Sequence, residues 1–212
     1  MQTGNTIFIA LGASNKNTHP FIWVRCLFSL FAYCLGTFAF ARFHDQILAP
    51  KTRRLTLLLS YTFQAILTIV AAGIIQSGIV GRYVPGAIAT SPREQWDSLI
   101  PIFLLSLGAG GQIIAARSLG VPEVPTVVVT TMLCELWSDP GLFLKRNAGR
   151  NRRALGFLLM LVGAITSGWV DKVSKTVQAA LWLAAALKLV CVCAIALWKG
   201  EHDDDNREKS NA

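Results

Sequence analysis

The sequence predicts an all-α, polytopic membrane helix bundle, and three observations carry that prediction. The chain is 53% hydrophobic and only 15% charged over 212 residues, whereas soluble domains carry about 25% charged residues. Its mean hydropathy is +0.48. The apolar residues are also grouped. Cys26–Ala41, Leu55–Gly81, Ser98–Ala116 and Ala154–Val170 carry no charge, and Val177–Trp198 is broken only by Lys188. About 20 helical residues, each rising about 1.5 Å, cross a hydrocarbon core of about 30 Å. A chain this short lacks the polar helices needed to wrap five apolar ones in water. The composition excludes a disordered chain and a typical cytosolic enzyme.

The expected layout is one integral membrane domain over residues 1–198. Its spans run about 21–42, 55–80, 99–117, 154–170 and 177–198. The first apolar run reaches spanning length by adding Phe21–Val24, with Arg25 inside its first turn. Two apolar pieces are too short to cross, 3–13 and 124–138. The second follows Pro122 and Pro125, which interrupt regular helix. Short, Pro-interrupted apolar pieces point to broken or re-entrant segments. Residues 199–212, with Asp203-Asp204-Asp205, form a polar tail expected to be disordered and cytoplasmic.

The formal charge of +8 would suggest nucleic acid in a soluble protein. Here the basic residues sit in clusters between apolar runs, so nucleic acid is not an expected partner and anionic lipid is. Arg42, Lys51, Arg53 and Arg54 fall in one loop. Lys145, Arg146, Arg150, Arg152 and Arg153 fall in another. Basic residues favour the cytoplasmic side of short loops, so both should lie there. The stretch Leu99–Ser138 then crosses once and dips back. The order of elements also predicts an inverted repeat. A short Thr-bearing piece precedes Arg25 and Gly36, and a second precedes Arg152 and Gly163. Two halves of opposite direction are familiar from transporter folds.

Polar groups at membrane depth are costly and are the first place to seek function. Lys188 lies in the middle of its run, where a charge costs about 2.5–3.5 kcal/mol on insertion scales. Glu135 stands in an apolar piece and shares a helical face with Thr131 and Ser138. If it meets Lys188, each offsets the other's desolvation. Ser60, Gln64 and Thr68 recur at steps of four, a polar stripe on one helix face. Gln112 follows Gly108, Gly110 and Gly111. The plain reading of the small faces, including Ser29, Ala32, Gly36 and Ala39 and also Gly156, Gly163 and Ser167, is helix packing. The sharper reading is a polar cavity lined by Gln64, Gln112, Thr130, Thr131, Glu135 and Lys188. The five cysteines lie in apolar runs and the three histidines lack ligand spacing. No metalloprotease, hydrolase, phosphate-loop or dinucleotide motif is present. The expectation is therefore no enzyme, no catalytic residue, no metal and no cofactor.

Two stretches carry a resemblance. Met1-Gln2-Thr3-Gly4-Asn5-Thr6 opens the chain, and Ser106–Thr131 reads SLGAGGQIIAARSLGVPEVPTVVVTT. With the helix order, they resemble the YoaK-like family of small multi-pass membrane proteins, a domain of unknown function, in its fungal branch. The resemblance implies about six crossings, no established catalytic residues, and a family motif at Thr3, Gly4 and Asn5. It also implies a hydrophobic helix ahead of that motif. Met1 stands two residues before Thr3, so the expectation is a chain short of that first helix. The expected function is transporter-like, for a small solute or ion. The alternative is a non-transporting membrane scaffold or assembly protein. The expected partners are the lipid bilayer and a second copy of the chain, in a membrane for which the plasma membrane is one candidate.

Overall fold

The computed structural model describes residues 2–16, 21–47, 53–78, 80, 96–118, 129–144 and 146–197. Among them the only regular structure is helix. We number the helices α1 (Gln2–Ala13), α2 (Ile22–Ile47), α3 (Arg53–Gln76), α4 (Leu99–Ser118), α5 (Val129–Trp137), α6 (Ala148–Ser174) and α7 (Val177–Leu197). Five of them, α2, α3, α4, α6 and α7, are long and apolar enough to cross a membrane. The Pro122–Pro125 stretch, most of the loop between α3 and α4, and the tail 199–212 lie outside the described residues.

Two helices outrun their apolar runs, for local reasons. Near the end of α2, the Arg42 guanidinium lies over the Phe38 ring at 5.5 Å and reaches Asp45 at 3.9 Å. These contacts one turn apart carry the helix past residue 42. At the start of α6, Asn147 is an N-cap in extended conformation (φ −136°, ψ 97°). Its Oδ1 accepts the backbone N–H of Arg150 at 3.0 Å. One of the orphan donors of the first turn is thereby satisfied. Arg150, Arg152 and Arg153 therefore belong to the helix and not to the loop before it. The helix ends at Lys175, which takes the left-handed conformation (φ 53°) and returns its N–H to Asp171 O.

Helix α4 is the centre of the bundle, with α2 on one side and α3 on the other, while α2 and α3 barely touch. Helix α7 covers the far side of α3. Helix α1 lies on α2, and α5 rests on α6. Contacts fix the directions. Along α2 and α4, Phe21 meets Trp96 (5.0 Å), Phe28 meets Phe103 (5.6 Å) and Ser29 meets Ser106 (2.9 Å), so the two run parallel. Space for a Cβ on Gly108 is bounded by Leu67, and Gly111 lies under Phe40, which itself meets Phe63 at 5.8 Å. Position rises on α4 as it falls on α3, so those two are antiparallel. Helix α7 is antiparallel to α3 by the pairs described below. Three long helices, α2, α4 and α7, thus share one direction.

Glycine makes the central approach possible. A Cβ on Gly36 would overlap the carbonyl oxygen of Leu107, and one on Gly110 would lie 2.6 Å from the Thr37 nitrogen and 2.7 Å from Tyr33 O. Small residues let helix backbones come this close, and van der Waals packing then holds them. The outer surface is apolar: Phe31, Phe38, Leu159, Val162, Trp169 and Val190 are all exposed. An apolar patch of that extent marks an interaction surface and not one meant for water.

Candidate functional site

The polar stripe of α3 is longer and more deeply buried than its three expected members. Thr56, Ser60, Gln64 and Thr68 are 0, 1, 0 and 5% exposed. Steps of four place them on one face. Its neighbour on that side is α7, and polar contacts join the two helices at three levels. At one end Arg54 donates to the carbonyl oxygens of Ile195 (3.1 Å) and Ala196, in the last turn of their helix, where carbonyls run short of intrahelical donors. At the other end Trp182 Nε1 donates to Gln76 Oε1 at 2.7 Å. Midway, Lys188 Nζ donates to Gln64 Oε1 at 3.2 Å.

The middle level is a directed chain. An ammonium has only donors, so it takes the amide oxygen of Gln64 and leaves the amide nitrogen facing away. That nitrogen donates to Ser60 Oγ at 3.3 Å. Thr68 Oγ1 donates to the backbone carbonyl of Gln64 at 2.9 Å, one turn further along the helix. The arrangement joins one cation and one amide across the α3–α7 interface, with the Ser60 and Thr68 hydroxyls bonded to Gln64 on the α3 side. It can solvate and stabilise a polar or anionic group that enters there.

Glu135 does not meet Lys188. Its Oε2 lies 3.2 Å from Arg153 Nε, and Arg153 Nη1 lies 3.3 Å from Asp139 Oδ2. The expected Glu135–Lys188 pair is therefore replaced by two separate partnerships, because α5 rests on α6 and not on α7. The turn after α5 explains the choice. Asp139 Oδ1 accepts the Gly141 N–H at 2.8 Å, and both Asp139 oxygens accept from Asn147 Nδ2 at 3.1 Å. Arg150 closes the same turn on the Leu142 and Leu144 carbonyls. This bracing sets Asp139 beside the second turn of α6, where Arg153 projects. The arginine then reaches Glu135 as well.

The six residues expected around one cavity divide accordingly. Gln64 and Lys188 come together. Glu135 joins the Arg153 cluster, Thr130 and Thr131 are exposed on α5, and Gln112 is half-buried on α4. Of the opening motif, Asn5 carries the contacts: its Nδ2 donates to Gln2 Oε1 (2.9 Å) and to Ser29 Oγ (3.1 Å), which in turn meets Ser106. Asn5 thus ties α1 to α2 and, through Ser29, to α4. Thr3 is exposed, and a Cβ on Gly4 would meet nothing within 4 Å. Among the described residues no group of His, Cys, Asp or Glu could hold a metal ion.

The family model for a protein of unknown function, DUF1275, matches residues 1–194. The chain belongs to the DUF1275 family. No curated protein and no solved structure matches it. Nearly all of the described bundle falls within the matched residues, including Asn5, the α3 stripe, the Arg153 cluster and Lys188.

Sequence reasoning missed three participants. Thr56 continues the step of four by one turn and lies within the expected 55–80 span, but the expected stripe begins only at Ser60. Arg153 reads in the sequence only as a cytoplasmic charge, although Asp139-Pro140-Gly141 is a turn signal of the kind that folds a chain back. His44, on the last turns of α2, is 3% exposed, and only the extension of the helix beyond residue 42 buries it.

Proposed function

We propose that the chain is an integral membrane protein that moves a small solute or ion along the α3–α7 interface. The observation that carries this reading is the Lys188–Gln64–Ser60 chain within five apolar helices. A lysine inside an apolar helix is retained at a cost. Here the described contact that offsets it is a neutral amide and not a carboxylate. A net positive centre of this kind favours an anionic or neutral polar solute over a cation. The expected direction of the helices, with α2, α4 and α7 entering from one side, also agrees with basic loops on the cytoplasmic face. Helix α5, nine residues long, rises about 14 Å, too little to cross a core of about 30 Å, which supports a segment that dips into the membrane without spanning it. Membership in the YoaK-like, fungal-type branch is part of the same reading and is supported by the opening motif and the Gly/Gln-rich α4.

The test is flux in proteoliposomes, with an anion and a neutral polar solute as separate probes. Wild-type protein should carry one of them, and Lys188→Met together with Gln64→Leu should abolish that flux while the protein remains folded. Equal flux in the double variant would remove the α3–α7 interface from the mechanism. A non-transporting scaffold is the second reading. It is favoured by α6, none of whose residues is buried; it predicts co-purifying partners and no flux.

A further inference from the structure

Four of the six tryptophans stand near helix ends, and the helix contacts put them at one level. On α2 and α4, which run parallel, Ser29 meets Ser106. Six positions back along each helix pair Trp23 with Ile100. On α3 and α4, which run antiparallel, Leu67 bounds the space beside Gly108, and nine positions away Gln76 pairs with Leu99. Trp96 packs on Phe21 at 5.0 Å, two positions ahead of Trp23. Trp182 reaches the same level from α7, because its indole N–H holds Gln76 at 2.7 Å. Trp169 follows from the tight turn that ends α6 at Lys175. Seven positions back along α6 and six forward along α7 from Thr176 reach Trp169 and Trp182, an equal depth in two helices that both cross. Trp137 ends α5 at the other end of α6, near Arg153, and Trp198 lies outside the described residues.

The shared level does not come from a shared chain direction. Trp23 and Trp182 lie near the start of their helices and Trp169 near the end of its own, so the four spread over the whole width of the bundle. All are exposed, by 39 to 61%. An indole joins an apolar body to one N–H donor and gathers where hydrocarbon meets the ester layer of a bilayer. Lys172, nearer the end of α6, holds its Nζ 5.2 Å from the centre of the Trp169 ring, as a lysine does when it reaches from an apolar surface towards phosphate. Arg54 marks the opposite end. Between the two ends α3 runs 24 residues, about 36 Å, a little more than a hydrocarbon core of about 30 Å.

We propose that Trp23, Trp96, Trp169 and Trp182 form a girdle seated in the ester-carbonyl layer of the phospholipid leaflet remote from Arg54, and that this girdle sets the depth of the bundle. A protein partner fits less well, since it would have to cover indoles on both flanks of the bundle at once. Seated so, the girdle puts the Lys188–Gln64 contact, twelve positions along α3 from Gln76, about 18 Å below the ester layer and close to the bilayer midplane. The inference rests on the membrane reading of the bundle and does not require that anything be transported.

The experiment reads tryptophan fluorescence from the full chain in phosphatidylcholine vesicles whose acyl chains carry bromine either next to the ester or near the chain end. Trp137→Phe with Trp198→Phe leaves the four indoles alone. Shallow bromine should quench them more than deep bromine, and iodide on both sides of the membrane should quench them weakly. This protein gives the order by itself, and stronger quenching by deep bromine would overturn the proposal. Single-tryptophan proteins, with the other five changed to Phe, add the comparison of depths. The four should agree within about 5 Å, roughly one helical turn, and depths scattered more widely would overturn the proposal. So would strong iodide quenching of any of them. An indole that no quencher reaches would lie under a second copy or another protein, and that too would overturn it. Phe31→Trp, in a chain with all six changed to Phe, puts an indole on the exposed side of α2, eight positions deeper than Trp23, and should be quenched more by deep bromine. Scattered depths with Phe31→Trp quenched from within the bilayer would sink the girdle alone. If bromine quenches none of these proteins, the membrane reading falls and the girdle with it.

Discussion

The α2–α4 pair and the α6 helix carry the same kind of residue and use it in opposite ways. Both present glycine in the middle of a long apolar helix. At Gly36 and Gly110 an added Cβ would run into the partner backbone, whereas at Gly163 and Gly168 it would meet nothing within 4 Å. The spacing Arg25–Gly36 is repeated by Arg152–Gly163, yet only the first has a helix, α4, lying across it. The lesson is that a small-residue face on a membrane helix states a capacity for close approach. Whether that capacity is used depends on which helix the chain brings to it. In the first half the chain brings α4; in the second, among the described residues, α6 packs on α5 and α7.

That contrast sets the largest expected effect. Gly110→Ala, and equally Gly36→Ala, should force α2 and α4 apart and cost about 1–3 kcal/mol or more, as overpacking does. Gly163→Ala should be neutral or stabilising by up to about 1 kcal/mol, because alanine is the better helix former. Thermal or denaturant unfolding in detergent reads both. A large loss at Gly163 would reveal a partner on α6 and break the comparison. Gly111→Ala should fall between the two, since the atoms it meets belong to the Phe40 ring, which can turn aside.

The polar clusters offer the next test. Arg153→Met leaves Asp139 and Glu135 without their cation, and Asp139 is largely buried, its side chain only 13% exposed. The expected loss is about 1–3 kcal/mol, together with increased protease sensitivity of the 138–147 turn. Gln64→Leu removes the acceptor for Lys188 and should cost a similar amount. Adding Lys188→Met should recover most of it, since replacing both partners by apolar groups is far gentler than orphaning one. Strict additivity in that double-mutant cycle would mean that the two side chains do not interact.

The smallest effect concerns the α6–α7 turn. Lys175 holds a left-handed backbone at φ 53°, a conformation that costs an ordinary residue about 1 kcal/mol and glycine almost nothing. Lys175→Gly should therefore raise the unfolding midpoint slightly. A fall would indicate that the lysine side chain holds the turn through contacts of its own.

Much of this bundle was legible before any coordinates. Apolar runs of spanning length gave the five long helices because backbone groups in lipid must be satisfied within the segment. The stripe at Ser60, Gln64 and Thr68 was legible because helical periodicity is local, and the same step of four reaches Thr56 inside the same span. The Lys188 partner was not legible. Both Glu135 and Gln64 were chemically suitable, and the choice rests on which helices pack together. That in turn depends on a turn braced by Asp139, Asn147 and Arg150, whose contacts span up to eight residues. Burial of His44 was hidden for a related reason: helix α2 continues through a charged segment that composition alone assigns to a loop.

Disulfide trapping in native membranes tests the central claim most directly, namely that Lys188 faces Gln64 across α3 and α7 and not Glu135 on α5. In a background freed of its five cysteines, Gln64→Cys with Lys188→Cys should cross-link readily under mild oxidation. Glu135→Cys with Lys188→Cys should not. The reverse pattern would contradict the account.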